Sequence, residues 1–267
     1  MKIQRIVLPE KRNYELTLRI SMNKIHFLAP FIYLVSTNGL AGTMGEVHDV
    51  SNKVITLSAG PAWTSGGETQ NINLEPDLVK GYRAQNNTST IGSAELFFGI
   101  QNNIKTNLLY QFGIALAASS HAKLSGSIWD DADPDFDNFF YNYKVKHTHV
   151  AVKGKLLAET NFGVQPYISG SLGVGFNRAY DFIIIPKTFE QLTFPGFLSH
   201  STTAFTYTAG AGLQKAINQN WSLGIGYEFA NWGKSHLAPS IAQTTGSGLK
   251  LNHLYAHQLQ FSISCNV

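Results

Sequence analysis

The chain reads as an all-β protein: an eight-stranded antiparallel up-and-down transmembrane β-barrel with short periplasmic turns and long external loops. Three observations predict this. Apolar and polar residues alternate with period two in eight segments, and no stretch has helical periodicity. The connections between those segments are alternately short and long. The N-terminus has the layout of a secretory leader.

The leader comes first. Residues 1–24 contain Lys2, Arg5, Lys11, Arg12, Arg19 and Lys24 against Glu10 and Glu15, and an apolar run over 25–35 follows. The run leads into Ser36-Thr37-Asn38-Gly39-Leu40-Ala41, a small-residue exit. A basic region, an apolar stretch of about 7–15 residues and a small-residue exit define a signal peptide. Residues 1–41 are therefore expected to be cleaved, with Met22 as an alternative start and 42–267 as the barrel domain. The apolar run is shorter than the ~20 residues a spanning helix needs, and Pro30 interrupts it.

Removing the leader changes the charge argument. The whole chain has 20 Lys+Arg and 17 Asp+Glu, a net +3 that invites an anionic partner. Six of the basic and two of the acidic residues lie in 1–41, so the remainder carries 14 and 15, a net −1. Nucleic acid loses its electrostatic support. Only 14% of residues are charged, against about 25% in soluble proteins. A single cysteine, Cys265, excludes a disulfide scaffold.

The eight segments follow in order. In the first, Ile55, Leu57, Ala59 and Trp63 share a face opposite Thr56, Ser58 and Gly60. In the second, Ala94, Leu96, Phe98 and Ile100 oppose Ser93, Glu95, Phe97 and Gln101. In the third, Leu108, Tyr110, Phe112, Ile114 and Leu116 oppose Asn107, Gln111, Gly113 and Ala115. The fourth sets Val150, Val152 and Leu156 against His147, His149, Lys153 and Lys155. The fifth sets Ile168, Leu172, Val174 and Phe176 against Gln165, Tyr167, Ser169, Ser171 and Gly173. The sixth sets Phe205, Tyr207, Ala209, Ala211 and Leu213 against Thr206, Thr208, Gly210 and Gln214. The seventh sets Trp221, Leu223, Ile225, Tyr227 and Phe229 against Ser222, Gly224, Gly226 and Glu228. The eighth sets Leu259, Phe261 and Ile263 against Gln258, Gln260, Ser262 and Ser264.

Alternation alone fits a soluble sandwich as well as a membrane barrel. Connection length separates them. The links after segments two, four and six are short, whereas 66–87, 119–143, 180–199 and 235–250 are long. Long unstructured loops are uncommon in compact soluble domains. Trp63, Tyr110, Trp221, Tyr227 and Tyr255 lie near the ends of the apolar bands, where interfacial aromatic girdles form. On this reading the polar face points into the lumen. Glu95, Glu228, Lys153 and Lys155 are then buried charges that require partners, and a salt-bridge network is expected to plug the barrel.

The motif Gly224-Ile225-Gly226-Tyr227-Glu228-Phe229-Ala230-Asn231-Trp232-Gly233-Lys234 resembles the penultimate-strand pattern of small Gram-negative outer-membrane β-barrels of the OmpA or opacity-protein type. Ala41-Gly42-Thr43-Met44-Gly45 is similar to the mature start of surface barrels from Legionella-like bacteria. The resemblance covers about residues 42–267 and implies an outer-membrane location, outer-membrane lipids and lipopolysaccharide as surroundings, and the barrel-assembly machinery as a partner. These barrels usually end in Phe or Trp. This chain ends in Val267, which keeps the outward parity of Phe261 and Ile263 without the ring and so weakens the assembly signal.

Candidate chemistry is sparse. Asp130, Asp131, Asp133, Asp135 and Asp137 could offer oxygens to Ca²⁺, with Asp131, Asp133 and Asp135 as the weak candidates, but Phe136 stands where an EF-hand needs glycine. A solvated loop is the simpler reading. His147 and His149 share a face but lack a third ligand at short spacing. His200-Ser201 and Glu228 suggest the serine, histidine and carboxylate of lipid A deacylases. Adjacent residues on a strand point opposite ways, however, and the H-x-S spacing of those enzymes is absent. No enzyme activity and no cofactor are expected. Function is assigned to the external loops, as adhesion, contact with a host or extracellular ligand, or envelope stability. Trp129, Phe136, Phe139, Phe140, Phe189, Phe194 and Phe197 are the expected contact residues. A narrow channel for small solutes is the alternative, and a lipid-modifying enzyme ranks third.

Overall fold

The structure, a computed structural model, describes residues 52–86, 88–189 and 191–267. The expected leader, 1–41, lies outside the described residues. The strands are β1 (Asn52–Ser65), β2 (Gln70–Glu75), β3 (Leu78–Ala84), β4 (Ser89–Lys105), β5 (Leu108–Asp130), β6 (Asp137–Ala158), β7 (Val164–Pro186), β8 (His200–Ala216), β9 (Trp221–Asn231), β10 (Ser235–His236), β11 (Lys250–Leu251) and β12 (Tyr255–Asn266). One 3-10 turn, Pro134–Phe136, precedes β6.

Eight of these strands close on themselves in the order β4-β1-β12-β9-β8-β7-β6-β5, and β5 pairs with β4 to complete the ring. Every neighbouring pair in the ring is antiparallel. Closure removes free sheet edges, which is what a strand structure needs in lipid, where no water can satisfy an open backbone group. The seam joins the first and last strands: Lys53 N–H donates to Val267 O at 3.1 Å, and Val267 N–H donates to Lys53 O at 2.8 Å. That seam lies at the same end as the short β4–β5, β6–β7 and β8–β9 turns.

In the half of the barrel next to those turns, the outward face is apolar and uncovered. Ile168 and Leu172 on β7 are 60% and 62% exposed, and Leu57, Ile114, Val152, Ile225 and Phe261 are comparably open around the ring. An apolar surface encircling the whole molecule far exceeds the few hundred Å² that a soluble monomer exposes. It is the lipid-facing belt of a transmembrane barrel. Inside, the same strands bury Thr56, Ser58, Gln111, Ser171, Thr206, Thr208 and Ser264.

In the other half, strand carries much of the long external connections. β5, β6 and β7 are 23, 22 and 23 residues long, about twice the 9–11 a membrane crossing needs. Most of 119–143 is therefore hairpin, and β7 runs through the first third of 180–199. The connection over 66–87 holds the β2–β3 hairpin, whose β3 pairs with the upper part of β5. Two register shifts make this possible. On β5 the shift falls between Ala118 and His121, and the inward parity changes from Gln111 and Ala115 to Ala122, Leu124 and Ile128. On β7 it falls opposite Asn142 and Lys144, where Asp181 has a φ of 55° and its carboxylate meets Lys144 at 3.0 Å. A bulge inserts one residue and re-aims the side chains beyond it.

These extensions form a head with an apolar core. Tyr82, Ile128, Tyr141, Tyr143, Leu237, Leu251 and Leu254 are buried in it. Phe182 and Phe197 cross edge to face with ring centroids 5.0 Å apart, and Tyr82 lies 5.3 Å from Phe197. Each such side chain contributes about 1.5–3 kcal/mol of burial. Burial also pushes the Tyr82, Tyr141 and Tyr143 phenols well above their usual range, so all three stay neutral.

Candidate functional site

The lumen of the membrane half is built from the inward positions of strands that alternate strictly. Lys153 projects from β6, Glu95 from β4 and Glu228 from β9, and all three are buried. Lys153 Nζ donates to Glu95 Oε1 at 2.6 Å and to Glu228 Oε2 at 2.7 Å. Gln260 Nε2 donates to the second Glu228 oxygen at 3.1 Å. Lys155, the fourth residue of the expected network, instead donates to Gln214 Oε1 at 2.6 Å and rests 3.9 Å over the Tyr167 ring. Gln214 passes the chain on to Ser222 Oγ at 2.7 Å.

Tyr167 lies along the inner wall over the two neighbouring strands, β8 and β9, because they carry glycine beside it. A Cβ at Gly226 would stand 2.1 Å from the Tyr167 hydroxyl, and one at Gly212 would stand 2.6 Å from its ring. The space left in the interior is small. A cavity of about 30 Å³ lies among Thr56, Glu95, Gln111, Lys155 and Tyr167, and one of about 10 Å³ lies beside His149 and Glu228. Glu95 and Gln111 both line the first, and Glu95 Oε2 and Gln111 Oε1 are buried acceptors without a protein donor. Side chains fill most of the interior, in keeping with the width of eight strands.

A second polar cluster sits where lumen and head meet. His147 Nδ1 lies 2.7 Å from Asn177 Oδ1, and His147 Nε2 lies 2.9 Å from His149 Nδ1. Trp232 stacks on the His147 ring at 4.5 Å and 9°. Asn177 Nδ2 donates to the carbonyls of Trp232 and Lys234, both at 2.8 Å, and so pins the start of the β9–β12 connection over the barrel mouth. The two histidines bond each other, and among the described residues no third ligand joins them.

The expected contact aromatics divide. Phe139 and Phe197 are buried in the head core, and Phe194 packs against it, 5.5 Å from Phe139 and 4.2 Å from the Lys80 ammonium. Trp129 is half-buried under Arg83, at 4.4 Å. Phe136, Phe140 and Phe189 are exposed, Phe189 completely. The aspartates scatter: Asp130 pairs with Lys80 and accepts from Asn138, Asp137 pairs with Lys187, and Asp133 caps the 3-10 turn by accepting from Asp135 N–H. Asp131, Asp133 and Asp135 do not converge, and among the described residues no group of three His, Cys, Asp or Glu side chains could hold a metal. His200 stacks on His236 rather than bonding Ser201, and Glu228 is held by Lys153 inside the barrel.

Sequence reasoning missed Asn177, Gln214 and Gln260 as network members and missed the head core entirely. The signal for the core was present on β6, where Phe139, Tyr141, Tyr143 and Val145 continue the odd-numbered alternation of His147 and His149.

No protein-family model and no curated protein matches the chain. Among solved structures it is similar to the outer membrane protein OprG from Pseudomonas aeruginosa, with 13% identity, 80% of this chain and 96% of that chain covered, and a TM-score of 0.47. It is also similar to the outer membrane protease OmpT from Escherichia coli, with 7% identity, 84% and 99% covered, and a TM-score of 0.46. Neisserial surface protein A gives 12% identity, 80% and 97% covered, and a TM-score of 0.44. The assignment rests on the strand ring and belt themselves: the chain is an eight-stranded antiparallel up-and-down transmembrane β-barrel.

Proposed function

We propose that this protein is a non-enzymatic integral outer-membrane barrel that acts through its extracellular head, as an adhesion or ligand-contact surface. One observation carries the reading: the lumen is closed by the Lys153–Glu95–Glu228 network and roofed by a head with its own core. A barrel filled in this way anchors and presents rather than conducts. The exposed rings Phe136, Phe140 and Phe189 are the contact residues left available once Phe139, Phe194 and Phe197 are assigned to the core. Outer-membrane lipid, with lipopolysaccharide outside, surrounds the belt. Delivery is through a cleaved signal and the barrel-assembly machinery.

The test has two arms. Whole cells displaying the protein should bind an extracellular surface, and replacing Phe136, Phe140 and Phe189 together with serine should abolish that binding while heat-modifiable gel mobility is kept. The purified barrel in a planar bilayer should be silent. Stable conductance steps that change with Lys153→Gln would establish the channel reading instead.

A further inference from the structure

Beside the upper end of β8, beyond the point where β9 stops pairing with it, a cleft of about 490 Å³ opens outward. Its walls carry Lys234, Lys250, His200 and His236, and among the described residues no Asp or Glu lines it. The two imidazoles lie 4.1 Å apart at 31°, with His236 Nδ1 2.9 Å from the Thr202 hydroxyl. Lys250 stands directly across the β10–β11 pair from His236. The carboxylate that reaches this rim is Glu68, and Asn252 holds both its oxygens, by backbone N–H and by Nδ2, each at 2.7 Å. Among the described residues neither Lys234 nor Lys250 forms an ion pair. The cations therefore converge in a cleft that no carboxylate lines and in which neither lysine has an ion-pair partner among the described residues.

Ser235 is 2% exposed and pairs with the buried Leu251, so its side chain turns to the core side while His236 and Lys250 share the opposite face. The positive potential is evident at His236, whose pKa is lowered by burial first and then by His200, Lys234 and Lys250.

The height of the cleft is set by the strand that forms its wall. Thr203 lines it, and the next outward residues down β8 are Phe205 and Tyr207. Tyr207 continues the aromatic row through Phe229 at 6.4 Å and on to Tyr255 at 5.9 Å. Such a row marks the membrane interface. Thr203 stands two outward steps above Tyr207, about 13 Å along the strand, which puts the cleft at the level of outer-leaflet head groups.

We propose that this cleft binds a phosphate group, with Lys234 and Lys250 supplying the charge. The group could come from a lipid head group or from free phosphate, and the height of the cleft favours the lipid. Only that lipid source rests on the proposed membrane location.

The test uses the folded protein in uncharged detergent, with inorganic phosphate, a short-chain phosphatidic acid and the matching diacylglycerol as probes, read by native mass spectrometry and calorimetry. Expected is one phosphatidic acid per barrel, held at least tenfold more tightly than the diacylglycerol. K234Q/K250Q should lose at least tenfold, with heat-modifiable mobility unchanged. K105Q/K215Q, which removes the same charge at the opposite end, should bind as the unaltered protein does. Tight inorganic phosphate with no added gain from the acyl chains supports the cleft and assigns free phosphate as its ligand. Equal retention of phosphatidic acid and diacylglycerol with no phosphate binding overturns the proposal. Equal losses in the two double variants also overturn it. If the chain does not enter liposomes, the membrane reading fails, and the inorganic phosphate arm still decides the cleft.

Discussion

A single strand shows the two halves of this molecule side by side. The inward residues of β6 are Phe139, Tyr141, Tyr143 and Val145 in the head, then His147, His149 and Lys153 in the membrane half, and all seven are buried. The outward residues reverse the order, from Asn142, Lys144 and Lys146 to Val150, Val152 and Leu156. The pleat fixes which side chains are interior, and the surroundings decide what chemistry the interior takes. Water outside selects an apolar core, whereas lipid outside makes apolar residues cheapest on the exterior and leaves polar, fully paired groups for the lumen. The junction of the two regimes is occupied by side chains that serve both: the His147 ring stacks on Trp232 while its nitrogens join Asn177 and His149.

The sharpest way to break the comparison is at the centre of the lumen. Lys153→Met leaves Glu95 and Glu228 facing each other without a cation. Removing one partner from a buried charge cluster costs about 3–5 kcal/mol. Urea unfolding from lipid vesicles should show the loss, and the triple variant with Glu95→Gln and Glu228→Gln should recover most of it. The corresponding change in the head is Ile128→Ala, at a site with no exposure, where a truncated aliphatic side chain costs about 2–5 kcal/mol. Its expected signature is different: proteolysis at the β5–β6 hairpin while the barrel keeps its heat-modifiable mobility. Joint unfolding of both halves would show that head and barrel are one cooperative unit.

The membrane half was legible because it obeys one rule without interruption. From Leu108 to Leu116 and from Ile168 to Phe176, outward residues are apolar at every second or fourth position, and a period of two survives even where the lumen holds charge. Glu95, Lys153 and Glu228 could be placed together from parity alone, because three strands pointed them at the same narrow interior. Lys155 could not be assigned its true partner. Choosing Gln214 over a carboxylate depends on height along tilted strands, which parity does not contain. The head was illegible for a related reason. The bulges at Ser119–Ser120 and at Asp181 invert parity in β5 and β7, so two strands appear to end where they only change phase. Phe139, Phe194 and Phe197 look like surface anchors until the core that takes them is known.

Outward faces give a smaller contrast. Leu172→Arg places a charge on the lipid face near mid-strand and should cost about 2–4 kcal/mol. Ile183→Arg, on the same strand and similarly exposed, points outward from the head and should stay within about 0.5 kcal/mol. Equal costs at the two sites would mean that the belt does not end below Ile183.

The smallest effect is a pH dependence confined to the seam of the head. The folded-state pKa of His236 is lowered from the ordinary 6.5, by burial and by His200, Lys234 and Lys250. The folded state therefore binds its proton less readily than the unfolded state does. Its contribution is present in full above the unfolded pKa and declines as pH falls below about 6.5. The β10–β11 pair and the β9–β12 connection should thus become more open to protease at pH 5 than at pH 7.5, while the lumen network, which has no part in this titration, keeps the barrel intact. His236→Asn should flatten the difference, and an anion held between Lys234 and Lys250 should reduce it by offsetting the charge that makes protonation unfavourable. A head whose protease sensitivity at pH 5 is the same with and without His236 would remove this histidine from the account and leave the cations without a titratable reporter.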